Sequence, residues 1–263
     1  MKPRLLAVAL AAGVVTPSLY AQDPAAEISP PVRHSAALGF FYSKGDYGQD
    51  LPTRVRYLPY THEISVSGWR FKASVPLLEI SGPGNILVDG GNIGGDPSVT
   101  VAEKGIGDIN LSATWEMPLW SDTAPFIDLT VMLKLPTADE KRGLGTGRPD
   151  LGVQMDAYQN LGDFTLFATL GYRHRHRSPV FEGLNDSVNI SLGFSRGIGE
   201  SLQTGLIYDY QQAASEFSGD AHELLPYLSW AVSSQLTAMV YLIEGFTVDS
   251  ADTALGLQIT RRW

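Results

Sequence analysis

Hydrophobic and polar residues alternate with a period of two along most of the chain. In residues 125–135, every odd position from Ile127 onward is apolar, whereas Asp128 and Lys134 occupy even positions. A helix with this sequence would spread leucine and lysine around its surface, whereas a strand separates them onto two faces. The pattern therefore predicts a β-strand with one apolar face and one more polar face.

About twelve segments share this alternation, and many of them contain about ten residues. At a rise of ~3.3 Å per residue and a tilt of ~40°, such a strand covers roughly 25 Å, the height of the apolar band of an outer-membrane barrel. The predicted strands are residues 36–43, 57–66, 69–80, 107–117, 125–135, 150–159, 164–174, 187–196, 201–211, 222–230, 235–243 and 252–262.

The connections between these segments alternate between short and long. Ser67-Gly68 and residues 160–163 are short, whereas residues 81–106 and 136–149 are long. Outer-membrane barrels have short periplasmic turns and longer outer loops. We therefore predict an all-β fold, a transmembrane antiparallel up-and-down β-barrel of about twelve strands. A periplasmic β-sandwich or a soluble barrel with its apolar face inside would show the same alternation.

The last segment resembles the C-terminal aromatic signal of outer-membrane barrels. Trp263 ends the chain, and Arg261 departs from the otherwise apolar pattern of alternate residues before it. We predict that this strand is recognised by the barrel-assembly machinery and that Trp263 lies at the membrane interface. The predicted assembly signal consists of Trp263, Ile259, Leu257 and Leu255.

The first residues have the features of an export signal. Lys2 and Arg4 precede an apolar stretch, residues 5–15, that is too short to span a membrane, and Ala21 is a small residue at the expected cleavage site. We expect export to the outer membrane of a Gram-negative cell. The predicted regions are a signal peptide at residues 1–21, a lead-in at 22–35 and the barrel at 36–263.

Composition excludes several other classes of protein. The chain has 19 basic and 28 acidic side chains, and removal of the signal peptide leaves 17 basic ones and a net charge of −11. Such a charge argues against a nucleic-acid partner. No internal stretch reaches the roughly 18–20 apolar residues of a membrane-spanning helix. The chain has no cysteine and therefore no disulfide framework.

If the apolar face of each strand meets lipid, the polar face lines the lumen. An Arg or Lys that faces lipid at mid-depth costs ~2–4 kcal/mol, which favours this assignment. The side chains form either a polar conduit that selects a solute or a closed network of paired charges. The predicted lumen residues, forming the substrate pathway, are Glu116, Asp128, Lys134, Gln154, Asp156, Arg173, Gln203 and Asp209.

Residues 173–177, Arg-His-Arg-His-Arg, are the densest group of cations in the chain. Period two places Arg173, Arg175 and Arg177 toward the channel mouth. There they would attract anionic aromatic acids or bind the phosphates of lipopolysaccharide. The alternative is a solvated strand end that balances nearby acids.

Four short motifs occur in a fixed order: Gly105-Ile106-Gly107-Asp108, residues 131–137 (VMLKLPT), residues 143–150 (GLGTGRPD) and residues 170–173 (LGYR). This order resembles bacterial outer-membrane proteins labelled as meta-pathway phenol degradation proteins or transporters. The resemblance covers about residues 105–175 and implies an association with aromatic compounds. We expect uptake across the outer membrane, rather than degradation itself, to be the contribution of such a protein.

Two histidines, His62 and His222, are candidates for a catalytic role. Outer-membrane phospholipases use a His and a Ser two residues apart on a strand, but Ser65 would lie on the face opposite His62. Asp220 and His222 fit half of an omptin protease site, and no Asp-x-Asp partner accompanies them. We assign no catalytic residue, no metal site and no cofactor.

These observations predict a passive channel or transporter for small hydrophobic or aromatic molecules that interacts with outer-membrane lipid and lipopolysaccharide. One alternative is a structural or lipid-interacting barrel with a plugged lumen. The other is an outer-membrane hydrolase with His222 or His62 in its site.

Overall fold

A computed structural model describes residues 32–45, 51–83, 100–121, 123–178, 183–216 and 218–263. The predicted signal peptide and most of the lead-in lie outside these residues. Within them, the chain forms thirteen strands and one 3-10 turn, Glu140–Arg142. The strands are β1 (Arg33–Gly45), β2 (Thr53–Val66), β3 (Trp69–Pro83), β4 (Thr100–Ile106), β5 (Ile109–Glu116), β6 (Phe126–Leu135), β7 (Asp150–Leu161), β8 (Phe164–Arg175), β9 (Ser187–Ile198), β10 (Leu202–Gln211), β11 (Ala221–Ala231), β12 (Leu236–Gly245) and β13 (Thr253–Arg262).

The strands close into a ring. Each pairs antiparallel with its neighbours, and β13 pairs with β1 along almost its whole length. β4 and β5 both pair with β3, at opposite ends of that strand, so they are two halves of one wall strand interrupted at Gly107-Asp108. The wall is therefore a closed antiparallel barrel of twelve strands, which confirms the predicted fold class. Among the described residues, no helix is long and apolar enough to cross a membrane.

The two ends of the barrel differ in their connections. One end, here called the turn end, carries tight turns such as Ser67-Gly68, where both residues have positive φ of 50° and 76°. Positive φ at both positions matches the right-handed twist of the flanking strands, and glycine adopts it without strain. The opposite end, called the loop end, carries the longer connections, among them residues 136–149 and 246–252.

The outer surface of the wall is apolar. The side chains of Val131 and Val153 are 58% and 52% exposed, whereas Asp128 and Asp156 on the same strands are buried. Aromatic rings collect at the turn end, where Trp69 stacks on Phe71 and the two ring centroids lie 6.1 Å apart. An apolar band bordered by aromatic side chains is the surface that a barrel presents to lipid.

Most strand boundaries differ from those predicted by one to four residues, and the largest shift is at β2, which begins at Thr53 rather than at residue 57. β1 begins at Arg33, three residues before the predicted start at residue 36. β4 lies inside residues 81–106, which were predicted to form one long connection. Its alternation is hard to recognise because Glu103 and Gly105 face inward while Lys104 lies on the outer face. Pairing with the loop-end half of β3 stabilises this segment as a strand.

Several inward-facing glycines are covered by an aromatic ring on the neighbouring strand. Tyr241 lies opposite Gly256, and Phe167 lies opposite Gly193. A β-carbon at either glycine would overlap the ring that covers it. The absence of a side chain therefore lets the ring lie flat on the inner wall, which anchors the registers of β12 with β13 and of β8 with β9.

We expect Gly256→Val to lower the free energy of unfolding by about 1–3 kcal/mol, because the Tyr241 ring must move from the inner wall. Urea unfolding of the detergent-folded protein, followed by heat-modifiable gel migration, measures the change. Gly197→Ala is the matched control, since nothing lies within 4 Å of a β-carbon there. Equal effects of the two substitutions would contradict the packing role of Gly256.

Candidate channel interior

All eight predicted lumen residues occupy strand positions opposite in parity to the exposed apolar side chains. Asp128, Lys134 and Asp156 are among the most buried charged residues of the barrel. Glu116 and Asp128 face each other across β5 and β6, and Gln154 lies opposite Gly171 across β7 and β8. Their role in a solute pathway stays a prediction.

A charged cluster near the turn end is organised by Arg70, which the sequence reasoning missed. The Arg70 guanidinium contacts the carboxylate of Asp128, and its Nε lies 3.3 Å from Glu116 Oε1. Lys72, two residues along β3, has its Nζ 3.7 Å from Glu63 Oε2. The predicted lumen set omits Arg70, because none of the four sequence motifs lies on β3 and no residue of that strand was included.

Short polar contacts continue along the inner face of the remaining strands. Asp156 accepts hydrogen bonds from Thr169 Oγ1 at 2.6 Å and from Gln154 Nε2 at 2.9–3.0 Å. Gln203 Nε2 donates to Ser195 Oγ at 3.0 Å. Because each of these polar groups has a partner on its own or the next strand, this part of the inner wall is held in one arrangement.

Asp209 belongs to a second acidic position on the inner wall. The Ser191 hydroxyl donates a hydrogen bond to its carboxylate. Directly opposite on β11 lies Glu223, which is 4% exposed and was absent from the predicted set. Glu223 accepts a hydrogen bond from the backbone N–H of Ala251, so it also fixes the loop that follows β12.

Apart from Asp209 and Glu223, this side of the inner face is apolar and aromatic, a feature that the sequence reasoning missed. Its side chains belong mainly to β1, β8 and β10–β13 and form a single packed cluster. Most of them occupy inward positions on strands whose outward positions are also apolar, so alternation gives little contrast there. The aromatic wall, as we call it, comprises Phe41, Phe167, Ile207, Leu225, Tyr227, Met239, Ile243 and Ala254.

The connection between β6 and β7 folds against the loop end of the inner wall and is held by Lys134. Lys134 Nζ lies 2.8 Å from Asp150 Oδ2 and 3.4 Å from Asp108 Oδ2, and it donates to Thr146 Oγ1 at 3.0 Å. The side chains of the lysine and both aspartates are at most 6% exposed. We call Lys134, Asp108, Asp150 and Thr146 the lysine latch.

Backbone contacts complete the lysine latch. The N–H of Ala138 donates to Asp108 Oδ1 at 2.9 Å, and Thr137 Oγ1 accepts from the N–H of Ile109 at 3.0 Å. A β-carbon at Gly145 would lie 2.7 Å from Asp108 Oδ2, so only glycine lets the loop pass this close to the carboxylate. Three of the four sequence motifs therefore meet in one buried cluster.

The same loop reaches the inner wall and the strand edge that β4 leaves open. Leu144 is 3% exposed and packs with Val55, Leu78 and Ile80. Arg142 covers β4, because its guanidinium donates to the backbone oxygen of Lys104 at 2.9 Å and lies 2.7–2.8 Å from Glu103. The loop thus occupies part of the loop-end opening and caps an unpaired strand edge.

The three predicted channel-mouth cations lie in different environments. Arg173 and Arg175 lie on the inner face of β8, whereas Arg177 lies beyond the strand and is exposed. Arg175 is buried, and its guanidinium donates to Ser187 Oγ at 2.7 Å and to the backbone oxygen of Asn185 at 3.0 Å. Arg175 therefore ties the end of β8 to the start of β9.

Asp186, just before β9, anchors the loop-end rim of β8. Its carboxylate accepts hydrogen bonds from Tyr172 Oη at 2.5 Å, from His174 Nδ1 at 3.0 Å and from the N–H of Arg175 at 2.9 Å. These bonds, with that of Tyr172 the strongest, lower the pKa of Asp186 from 3.8 to about 2. The carboxylate is therefore ionised throughout the neutral range.

The two histidines weighed as catalytic residues have structural contacts. His222 Nδ1 lies 2.7 Å from Tyr208 Oη, while Asp220 accepts hydrogen bonds from Tyr210 Oη and from the N–H of Ala213, both at 2.9 Å. No contact joins the Asp220 carboxylate to the His222 ring in the described part of the chain. The described residues also contain no group of three metal-ligating side chains.

His62 is part of an aromatic group at the turn end. Its Nε2 lies 3.3 Å from His34 Nδ1, and the His34 ring stacks on Trp263 with the centroids 6.0 Å apart. Trp263 also exchanges backbone hydrogen bonds with His34 at 2.9–3.0 Å. The terminal residue of the predicted assembly signal therefore closes the ring against β1.

The fold and interior define a closed twelve-stranded barrel of the porin type. Its overall structure is similar to an outer membrane channel from Pseudomonas putida F1, with a TM-score of 0.69 at 16% identity, over 93% of this chain and 100% of that one. Identity at this level shows a shared fold. The family is shown by sequence: residues 34–263 match the family described as "Putative MetA-pathway of phenol degradation", and the chain belongs to it.

Two further structures share the barrel. The NanC porin has a TM-score of 0.54 at 8% identity, over 86% of this chain and 97% of that one. The translocator domain of the autotransporter NalP from Neisseria meningitidis has a TM-score of 0.52 at 9% identity, over 90% of this chain and 89% of that one. These names describe a channel, a porin and a translocator domain, and none names an enzyme. One barrel architecture thus serves different tasks.

Lys134→Met is expected to destabilise the lysine latch, because it leaves Asp108 and Asp150 buried without their shared cation. Removal of one partner from a buried ion pair costs about 3–5 kcal/mol. The loop between β6 and β7 should then be cut faster by trypsin at Lys141 or Arg142.

Lys72→Met is the matched control for the latch, since Lys72 is half-exposed and its contact with Glu63 is long. Exposed pairs contribute about 0–1 kcal/mol, so tryptic cleavage should keep its wild-type rate. A Lys134→Met protein that is cut no faster than Lys72→Met would show that the latch does not hold the loop.

Asp186→Asn should lower stability at neutral pH and lose this effect in acid. The pKa of Asp186 is lowered in the folded protein, so its stabilising contribution is complete above its ordinary pKa of 3.8 and disappears as the pH falls through about 2. Urea midpoints of the folded protein, measured between about pH 7 and 2, test this. Asp163→Asn, which removes an 80% exposed carboxylate, is the matched control.

Proposed function

We propose that this protein is an outer-membrane channel for the passive uptake of small hydrophobic or aromatic compounds. The observation that supports this function is the two-sided interior: an aromatic wall on one side and charged residues around Arg70 and Asp156 on the other. The family description agrees with this proposal through its reference to phenol degradation. The turn end would face the periplasm and the loop end the cell exterior.

A two-sided interior suits a solute with an apolar ring and one polar group. When the ring of the solute contacts the aromatic wall, the apolar area of that ring leaves water, which stabilises binding by roughly 25 cal/mol per Å². The polar group of the same solute can exchange hydrogen bonds with the opposite wall. A sugar carries hydroxyl groups on all sides and would leave several of them against Phe41, Phe167 or Leu225.

Passage also requires space beside the loop between β6 and β7. Leu144 and the lysine latch fill the loop-end opening next to β3 and β4, so this loop would act as the constriction of the pathway. Diffusion down a gradient needs no cofactor and no energy-coupling group.

A structural or lipid-interacting barrel with a plugged lumen is the second candidate. It is favoured by the burial of the interior: Phe41, Leu225 and Ile243 are each at most 6% exposed. The two candidates differ in a measurable way, because a plugged barrel gives no solute flux. The contacts of His222 and His62 give no support to the third candidate, a hydrolase.

Phe167→Ala tests the aromatic wall in the protein reconstituted into liposomes, with flux measured for phenol, benzoate and glucose. The wild type should pass the two aromatic solutes faster than the sugar. Loss of one buried ring contact, worth about 0.5–1.5 kcal/mol, should reduce this preference by about 2–10-fold. Phe164→Ala on the same strand is the matched control, because that ring is exposed on the outer surface.

The outcomes separate the candidates. Flux of no solute in the wild type would overturn the channel and favour the plugged barrel. Equal flux of phenol and glucose, or equal preferences in Phe167→Ala and Phe164→Ala, would leave a channel but reject selection by the aromatic wall. Heat-modifiable migration of each variant shows that it is folded before flux is compared.

A further inference from the structure

We propose that a cationic cleft on the loop-end rim binds the phosphate groups of a glycolipid in the outer leaflet. The cleft has a volume of about 610 Å³ and lies where β8, the β6–β7 loop and the segment before β9 meet. The proposal depends on the outer-membrane location proposed above but not on the solute. The lining residues are Arg148, His174, Arg175, His176, Arg177, Leu184, Asn185 and Asp186.

Charge in this cleft is strongly unbalanced. Arg148 and Arg177 are exposed, and neither side chain has an ion pair with another described residue. Among the described residues of the lining, the acidic one is Asp186, which is already engaged by Tyr172, His174 and the backbone of Arg175. Two guanidinium groups on this rim therefore remain available to an anion, and guanidinium binds phosphate through paired hydrogen bonds.

Each of the two histidines of the cleft is fixed by one hydrogen bond through Nδ1. His176 Nδ1 lies 2.8 Å from the backbone oxygen of Pro149, so it must carry the proton and donate. His174 Nδ1 donates to the carboxylate of Asp186 in the same way. The rings contact each other edge to face at 5.0 Å. With both Nδ1 atoms donating, Nε2 is the nitrogen of each ring that is left to contact a ligand.

The position of the cleft favours a lipid over a small free anion. His174 lies on the outer face of β8, directly above the exposed side chains of Tyr172 and Leu170. The neighbouring strand β7 adds Leu151 and Val153, which are also exposed. A phosphate bound by Arg148 and Arg177 would thus sit over an apolar surface that accepts acyl chains. This combination fits an amphiphile with phosphate on its head group.

This placement changes the interpretation of the Arg-His-Arg-His-Arg segment. Arg173 faces the lumen and does not line the cleft. Arg148, which belongs to the loop between β6 and β7, does line it. The outward histidines, rather than the inward arginines, lie next to the lipid. The predicted interaction with lipopolysaccharide phosphates is therefore assigned to Arg148, Arg177, His174 and His176.

The test measures binding of lipid A to the full folded chain in a neutral detergent by native mass spectrometry. The double variant Arg148→Gln/Arg177→Gln should bind bisphosphorylated lipid A at least about tenfold more weakly than the wild type, because it loses two charge-assisted contacts. Arg54→Gln/Arg56→Gln is the matched control. It removes two exposed arginines from the same rim at β2, where Arg56 pairs only with an exposed Glu79.

Two further measurements and a comparison of the two double variants decide the assignment. Fully dephosphorylated lipid A should bind the wild type at least about tenfold more weakly than the bisphosphorylated form. Equal losses in the two double variants would overturn the proposal in favour of general charge attraction. Inorganic phosphate that binds as tightly as lipid A would also overturn it, because the site would then recognise a free anion. Equal losses in the two double variants, or tight binding of inorganic phosphate, would concern lipid binding alone. Solute flux, and hence the proposed channel, would be unaffected.

Discussion

Closure of the backbone hydrogen-bond ring is the constraint on which the rest of this structure depends. A wall that meets lipid cannot leave N–H and C=O groups unpaired, and pairing of β13 with β1 removes the two free edges of the sheet. Closure fixes which face of each strand meets lipid, and it therefore forces the period of two in the sequence. In the described part of the chain, the edge of β4 that no strand pairs is covered by Arg142.

A ring of twelve strands encloses a narrow interior, so the inner side chains must pack against one another. The structure satisfies this requirement with two different surfaces. Arg70 pairs with Asp128 and Glu116, while rings such as Phe167 and Tyr241 lie over glycines on the next strand. In the proposed channel, packing and solute selection would use the same side chains, so a substitution in the pathway would also change the stability of the wall.

The sequence predicts the wall better than it predicts the interior. Alternation between Val131 and Asp128, or between Val153 and Asp156, identifies both faces because lipid and lumen demand opposite side chains. It does not identify Phe167 or Ile207 as interior residues, because an apolar side chain fits lipid and a packed lumen equally well. The motifs around Asp108 and Lys134 are visible in the sequence, but their meeting depends on the path of a loop.

The lysine latch also bears on how the barrel reaches its final pairing. Lys134 lies opposite Asp150, at the last pair of β6 and β7. A slip of one residue between these strands would reverse the faces of one of them and turn a charge of the latch toward lipid. Such a side chain costs ~2–4 kcal/mol for a lysine at mid-depth and less near the interface. The three charges that hold the loop in place thus also penalise misregistered assembly, so that correct strand pairing and loop closure are selected together.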